Sequence, residues 1–211
     1  MAELTPIFPL QIVVFPDDSL NLHIFEPRYK ELVNECYDQS EIFGIPTFFN
    51  KKKLTYGTSI KINSIEKKYP DGKMDIRTQG MNVFRIIKLY KKVAGKLYSK
   101  AEVEYISQEY NGSIDLNNDI LMYINELYDV MSIDKGTTDP NDPQFCFKTC
   151  HYIGMNLEQK FELLKINDEY SRQLYVIEYL KEMIPIAKRI ENIRSRAKMN
   201  GHFKHFNPLN F

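Results

Sequence analysis

The sequence predicts an α+β protein in which a small β-barrel domain is followed by an all-helical bundle. Two observations support this fold class. The N-terminal half consists of short segments rich in β-branched and aromatic residues, and several of them alternate between apolar and polar positions. After Asn111 and Gly112, apolar residues recur three and four positions apart, as on one face of an α-helix. The predicted domains are residues 1–110 and 111–211.

The β-rich half is predicted to contain about six short strands, enough for a closed or partly closed barrel. Residues 20–25 alternate clearly, and Pro70-Asp71-Gly72 marks a hairpin turn between two alternating segments. A short helix is expected at about 28–38. In the strand predicted at 41–49, Pro46 indicates an edge strand or a bulge, because proline cannot donate to a ladder.

The helical half begins with an amphipathic segment at 119–131. Capping signals predict where further helices start: Asp142 with Pro143, Asn156 with Gln159, and Asp168 or Glu169 before a long segment that ends at Asn200-Gly201. Within this long segment, Pro185 is expected to kink or split the helix.

The composition is that of an ordinary globular protein and argues against several functional classes. Lys plus Arg and Asp plus Glu are equal at 28 each, so no net field attracts nucleic acid or an anionic membrane. Three cysteines, an odd number, favour a reducing compartment over a disulfide framework. The N-terminus has no basic leader, and no apolar run reaches the roughly 18 residues of a membrane span. We therefore expect a cytoplasmic protein without a membrane partner.

The segment PIFPLQIVVFPDDSLNLHIFEPRY, residues 6–29, carries the most specific motif of the chain. It resembles the N-terminal, substrate-binding domain of Lon-type ATP-dependent proteases, which typically shows an LPLFPL-like opening and then IFEPRY. The resemblance continues through YGTSIKI, PDGKMDI, TQGMNVFRI and AEVEYI, and more loosely through residues 160–184. It covers most of residues 4–190 and implies a PUA-like barrel and a helical bundle that capture polypeptide substrates or partners.

The chain also departs from the family pattern. The family often has glycine and proline where this chain has Asp17 and Asn21, which leaves the geometry of the first turn open, and Val83 replaces a usual arginine. The Gly-Lys pair at 95–96 lacks the rest of a phosphate-binding loop, and the chain is too short for an ATPase or peptidase module. The resemblance therefore implies a free-standing, non-catalytic binding module without a cofactor, with an adaptor role in protein quality control left open.

The junction Glu26-Pro27-Arg28 links a predicted strand to the helix that includes Tyr29. Proline loses no hydrogen bond in a first helical turn, and a carboxylate is favoured at a helix N-terminus. Arg28 can pair with a neighbouring carboxylate. We interpret this junction, together with Gly80 of the TQG motif, as structural, and direct participation in binding is the alternative.

The cluster Cys146, Cys150 and His151 is the most metal-like group in the sequence. Cysteines four residues apart share a helical face and are soft ligands suited to zinc. However, no second ligand pair stands at a matching spacing, and the segment is apolar, so buried free thiols explain it better. Side chains of adjacent helical residues diverge by about 100°, which argues against a Cys150–His151 catalytic dyad. No metal site and no catalysis are predicted.

The binding site is predicted at Phe48, Phe49 and Tyr56, on an exposed strand edge that could accept an extended polypeptide. A concave surface between the predicted barrel and bundle is a second candidate, because domain junctions commonly form clefts. The expected partner is unfolded polypeptide or a protein, and self-association stays open. Three roles are left open for the apolar tail at 201–211: packing back on the bundle, pairing with a second copy, or serving as a disordered docking segment. The alternative function is nucleic-acid binding by the small barrel, through lysines at 51–53, 67–68 and 91–92. Solvated charge that protects strand edges is the simpler interpretation of these lysines.

Overall fold

The structure is a computed structural model that describes residues 3–48, 55–133 and 138–202. The chain divides into two compact units, of which the first comprises Met1–Glu109 and Met155–Asn167. The second comprises Tyr110–Gly154 and Asp168–Phe211. Residues 155–167 thus belong with the β-rich unit, although the division predicted at residue 110 placed them in the helical bundle. No helix among the described residues combines the length and apolarity needed to cross a membrane.

Within its described residues, the first unit contains six strands and two helices, consistent with the predicted α+β class. The strands are β1 (Glu3–Ile7), β2 (Ser19–Ile24), β3 (Phe43–Pro46), β4 (Tyr56–Lys68), β5 (Met74–Tyr90) and β6 (Ser99–Tyr105). The helices of this unit are α1 (Pro27–Gln39) and α4 (Leu157–Lys165), and between them in sequence lie α2 (Ile114–Met131) and α3 (Phe145–Thr149) of the second unit.

The sheet order is β2-β5-β4-β3-β1-β6, and β5 also pairs with β6. Five strands therefore form a closed circuit, whereas β2 lies outside it and pairs with β5. The length of β5 makes this possible, because its first half pairs with β2 and its second half pairs with β6. Within the described parts of β1 and β3, the parallel pairing consists of one residue pair, Ile7 with Gly44, so the barrel is irregular.

The prediction that the Pro46 strand lies at an edge is wrong, because β3 pairs with β4 on one side and is followed along its other side by residues 7–10. The Phe8 amide donates to the Gly44 carbonyl and the Leu10 amide donates to the Pro46 carbonyl. Proline is tolerated inside the sheet because this parallel contact is short and uses its carbonyl as an acceptor.

The first turn, whose geometry the sequence left open, is a bulge at Asp17. The Asp17 amide donates to the Gly80 carbonyl, and the Gly80 amide donates to the Asp18 carbonyl, so two residues oppose one. Asp17 has φ 64°, the left-handed conformation that glycine adopts most readily and aspartate tolerates. The turn thus keeps a glycine-like backbone without the glycine that the family often carries.

The core of the first unit lies between the sheet and α1. Helix α1 buries Leu32, Val33 and Cys36 against sheet residues that include Ile60 and Ile76. Full burial of such aliphatic side chains contributes about 1.5–3 kcal/mol each, which makes this cluster the main support of the barrel. Burial also raises the pKa of the Cys36 thiol to about 12, so the thiol is neutral near pH 7.

The second unit consists of α2 and α3 with α5 (Glu169–His202). Helix α2 packs along α5, and the predicted helical face of α2 is buried at Ile120, Ile124 and Leu127. Of the two outcomes predicted for Pro185, a kink or a split, the split is wrong, because α5 continues through this exposed residue. Water can satisfy the carbonyl that loses its partner there.

The start predicted for α3 is two residues too early. Asp142 does not cap the helix but lies in the turn before it, where its carboxylate accepts a hydrogen bond from the backbone N–H of Gln144 at 2.8 Å. In contrast, the predicted capping box of Asn156 and Gln159 is present at the start of α4, with both reciprocal bonds at 2.9 Å.

A buried ion pair organises the N-terminal end of α5. Arg172 is fully buried and donates to the Glu169 carboxylate at 2.8 Å, while its guanidinium lies 4.0 Å from the ring centre of Phe147. The other Glu169 oxygen accepts the backbone N–H of Cys146 at 2.8 Å, which fixes the start of α3. These charges are satisfied by each other and by the backbone, as burial requires.

Candidate functional site

The outer edge of β2 is the candidate functional site. Within the described residues, β2 pairs with β5 alone, whereas β1, β3 and β6 each pair with two strands. In an antiparallel ladder, every second residue turns its N–H and C=O away from the neighbouring strand. An edge of this kind can therefore accept another extended segment through main-chain hydrogen bonds.

In the part of the chain that the structure describes, the distal half of β4 is also bordered by β5 alone, but it carries the features that protect an edge. The β4–β5 register shifts between Ile62 and Ser64 and again between Ile65 and Lys67, and β4 ends in two lysines. Bulges and lysines are common devices against strand addition. The β2 sequence SLNLHI has neither lysine nor proline, and its register with β5 is unbroken.

A polar cluster lies on the exposed face of β2 and the β4–β5 hairpin. His23 Nδ1 is 2.6 Å from an Asp75 carboxylate oxygen, and the Tyr69 hydroxyl donates to the other oxygen at 2.8 Å. The Lys67 ammonium lies 4.5 Å from the centre of the Tyr69 ring. Hydrogen bonds from His23 and Tyr69 lower the pKa of Asp75, which is therefore ionised near pH 7.

A shallow cavity of about 340 Å³ opens beside this cluster. It is lined by Asn21, Leu22, His23, Glu66, Asp75, Ile76 and Arg77. The lining carries both charge signs, but most of its exposed surface is apolar, so it offers both hydrogen-bond partners and apolar contacts to side chains of many kinds. Such a surface suits a ligand that is recognised through its backbone and not through one fixed side chain.

Phe25 provides an apolar contact at the end of β2, since 58% of its surface is exposed and its ring stacks near His23 with centroids 6.1 Å apart. The following junction fixes this end of the strand. Glu26 is the N-cap residue of α1 and pairs with Arg28 at 2.7 Å, and Pro27 occupies the first helical turn. Tyr29 is buried, and its ring stacks on Phe8 at 3.8 Å.

Of the three residues predicted from the sequence as the binding site, Phe48 and Tyr56 lie at the end of the β3–β4 ladder. Phe48 is 41% exposed, and its amide donates to the Leu10 carbonyl at 2.6 Å. Tyr56 is half-buried, and its ring packs edge to face against Phe161 of α4 with ring centroids 6.3 Å apart. Part of the Tyr56 ring is therefore already in contact with another element. Phe49 lies outside the described residues. A binding role for these three residues stays a prediction.

The predicted metal-like cluster is placed in α3 and the turn that follows it. Cys146 and Cys150 are fully buried, and the Cys150 thiol donates to the Phe147 carbonyl at 3.0 Å. Burial raises the pKa of Cys146 well above its usual value, and the nearby Glu169 carboxylate adds to this effect. His151 is exposed. Among the described residues, no three His, Cys, Asp or Glu side chains are grouped as metal ligands would be.

The β2 edge was not singled out from the sequence, although the signal is visible in it. The alternating LNLHIF segment lacks every residue type that protects an edge, and Asn21 stands where the family often has proline. Which strand lies outside the closed circuit depends on the double pairing of β5, and that long-range pairing has no local signature in the sequence.

Comparison with known proteins gives a consistent result. A family model described as the ATP-dependent protease La (LON) substrate-binding domain matches residues 5–182. The crystal structure of a Lon N-terminal domain protein from Xanthomonas campestris is similar at a TM-score of 0.60 and 19% sequence identity, covering 84% of this chain and 98% of that one. The N-terminal domain of the Mycobacterium avium complex Lon protease is similar at a TM-score of 0.61 and 11% identity, covering 85% and 98%. At these identities, the two structures support the fold.

Proposed function

Because the chain belongs to the family of the ATP-dependent protease La (LON) substrate-binding domain, we propose that it binds polypeptide segments, without catalysis of its own, at the outer edge of β2. The single observation that carries this proposal is the unprotected outer edge of β2, which has no partner strand among the described residues, in a sheet whose other strands form a closed circuit. An extended segment that adds to this edge would continue the sheet by one strand.

Backbone pairing explains how such a module accepts varied sequences. Main-chain hydrogen bonds form with any extended segment that has free amides, and the side chains of the added strand project alternately to both faces. Phe25 and the half-buried Leu20 and Leu22 offer apolar contacts to some of them, and the His23–Asp75 pair offers polar ones. Selectivity is then for unfolded, moderately apolar stretches and not for one motif.

The biological role we propose is that of an adaptor that hands polypeptides to a separate protease in a reducing, cytoplasmic compartment. The description of the family as a substrate-binding domain supports the adaptor role. The three cysteines support the reducing compartment, because all of them are buried thiols that form no disulfide, and disulfides form in oxidising compartments.

The experiment is a fluorescence anisotropy titration of a labelled, permanently unfolded polypeptide with the purified protein, at low and moderate salt. The test variant is Ser19→Lys with Asn21→Lys, which places two lysines on the exposed side of β2. The matched control is Met81→Lys with Asn82→Lys, at exposed positions of β5 beyond the segment that pairs with β2. We expect the β2 variant to bind at least about tenfold more weakly than the wild type and the control to bind normally.

Equal binding by both lysine variants would refute the β2 edge as the site. In that case Phe48→Ser tests the binding role predicted for Phe48 from the sequence, with circular dichroism to confirm the fold. Binding of RNA that weakens steeply with salt, together with no binding of the unfolded polypeptide, would instead support the nucleic-acid alternative.

A further inference from the structure

The C-terminal part of α5 extends beyond the packed part of the second unit. Ile184 and Ala187 are buried, but positions 192–197 are all exposed. This part of the helix also lies beyond residues 5–182, the portion that the family model matches. Its surface is therefore not explained by the substrate-binding role proposed above.

A narrow apolar stripe runs along this exposed helix. Ile186, Ile190 and Ile193 are 44%, 54% and 69% exposed. With Ala197, which is also exposed, they follow one another at intervals of four, three and four residues. On an α-helix, these positions fall on one line and correspond to the a and d positions of a coiled-coil heptad. Exposed isoleucines in this register form the seam of a two-helix contact; we call residues Ile186, Ile190, Ile193 and Ala197 the isoleucine seam.

Arginines flank the isoleucine seam on both sides. Arg189 and Arg196 fall at g positions and Arg194 falls at an e position, the places that contact the partner helix across a coiled coil. Between residues 186 and 197, four cations (Lys188, Arg189, Arg194, Arg196) against one anion (Glu191) give 4 − 1 = +3. The whole chain is neutral, so this charge is concentrated on one segment.

The described residues leave two of these arginines without an ion pair. Lys188 pairs with Glu126 of α2 at 2.7 Å, and Arg194 lies 3.3 Å from Glu191 on its own helix. Arg189 and Arg196 have no carboxylate partner within the part of the chain that the structure describes, and both are exposed. Two g positions are thus available to an anionic partner.

We propose that the isoleucine seam is a docking surface for an acidic amphipathic helix of another protein, which pairs with α5 as a short coiled coil. Apolar residues of the partner pack against the three isoleucines, and Glu or Asp at its flanking positions pairs with Arg189, Arg194 and Arg196. The apolar stripe provides the contact, and the arginines select the partner's charge.

Charge also argues against the other occupants. A second copy of α5 would place arginines opposite arginines, which like-charge pairing disfavours. The segment that follows, residues 203–211, is apolar but contains Lys204 and no acidic residue, so it cannot pair with the arginines. A lipid surface favours a broad apolar face with large side chains, whereas positions 186–197 carry no aromatic residue and no leucine.

The test uses two designed helical peptides as probes. Both carry Ile and Leu at a and d, and one has Glu at its e and g positions where the other has Lys. Binding to the full chain is measured by fluorescence anisotropy. We expect the Glu peptide to bind at least about tenfold more tightly than the Lys peptide, because each of several flanking ion pairs adds a small increment. Ile190→Ser with Ile193→Ser should abolish this binding.

A charge reversal makes the test specific. In Arg189→Glu with Arg196→Glu, the preference should turn towards the Lys peptide, while Ser195→Glu, at the outermost f position, should leave it unchanged. Circular dichroism shows whether each variant keeps its helix content. Equal binding of the two peptides, no reversal, tighter binding to phosphatidylserine vesicles than to the Glu peptide, or dimerisation through the seam in sedimentation velocity would each overturn the proposal.

Discussion

At the scale of single residues, the first turn depends on a close backbone approach at Gly80. A Cβ atom at this position would lie 2.2 Å from the carbonyl oxygen of Phe15 and 3.3 Å from a methyl group of Val14. The contact with Phe15 is a backbone contact, so side-chain rotation cannot relieve it. Glycine is therefore required here for space, and not for a left-handed conformation.

We predict that Gly80→Ala destabilises the protein by about 2 kcal/mol or more, because the bulge at Asp17 must open to admit the methyl group. The control is Asn82→Ala on the same strand, since the bonds recorded for Asn82 run through its backbone and its side chain is exposed. Urea denaturation followed by circular dichroism measures both. A Gly80→Ala variant as stable as Asn82→Ala would show that the turn is not constrained in this way.

At the scale of elements, local patterns predicted most strands and helices. The errors about strand edges arose from long-range pairing, whereas the start of α3 and the continuity of α5 at Pro185 were misjudged locally. The IFEPRY junction and the Asn156–Gln159 capping box are formed by residues close together in sequence, so the local sequence contains all the information needed to predict them. Pro46 indicated an edge because the parallel contact with residues 7–10 has no local signature. For the same reason, the open edge of β2 could not be identified before the pairing of β5 was known.

Helix α5 offers an element-scale prediction, because its first turn holds the buried Glu169–Arg172 pair. We expect Arg172→Met to reduce stability by about 3–5 kcal/mol, since it leaves the Glu169 carboxylate buried without its cation. Adding Glu169→Gln should recover part of this loss, because a neutral amide oxygen still accepts the Cys146 amide. Chemical denaturation of both single variants and the double variant gives the coupling energy. A double variant no more stable than Arg172→Met would contradict the prediction.

At the scale of the whole molecule, the first unit is not a continuous stretch of chain. Residues 155–167 return to it after 110–154 have formed part of the second unit. Phe161 of α4 packs against Tyr56, and the Glu109 amide donates to the Asn167 carbonyl at 2.8 Å. The change from alternating to helical spacing near residue 111 correctly marks where strands give way to helices, but it contains no information about which unit a later helix joins.

This organisation leads to a prediction about fragments. Two fragments are compared: residues 1–110, and the same residues with 155–167 joined to them by a Gly-Ser linker. We expect the shorter fragment to unfold at a temperature roughly 4–8 °C lower, because it lacks the contacts of α4, which contribute about 1 kcal/mol. Thermal unfolding followed by circular dichroism measures the difference. The control is the linked fragment with Phe161→Ala, which should lose much of the gain because it removes the ring that contacts Tyr56. Equal unfolding temperatures for the two fragments would mean that the barrel is complete at residue 110, and that α4 adds nothing to its stability.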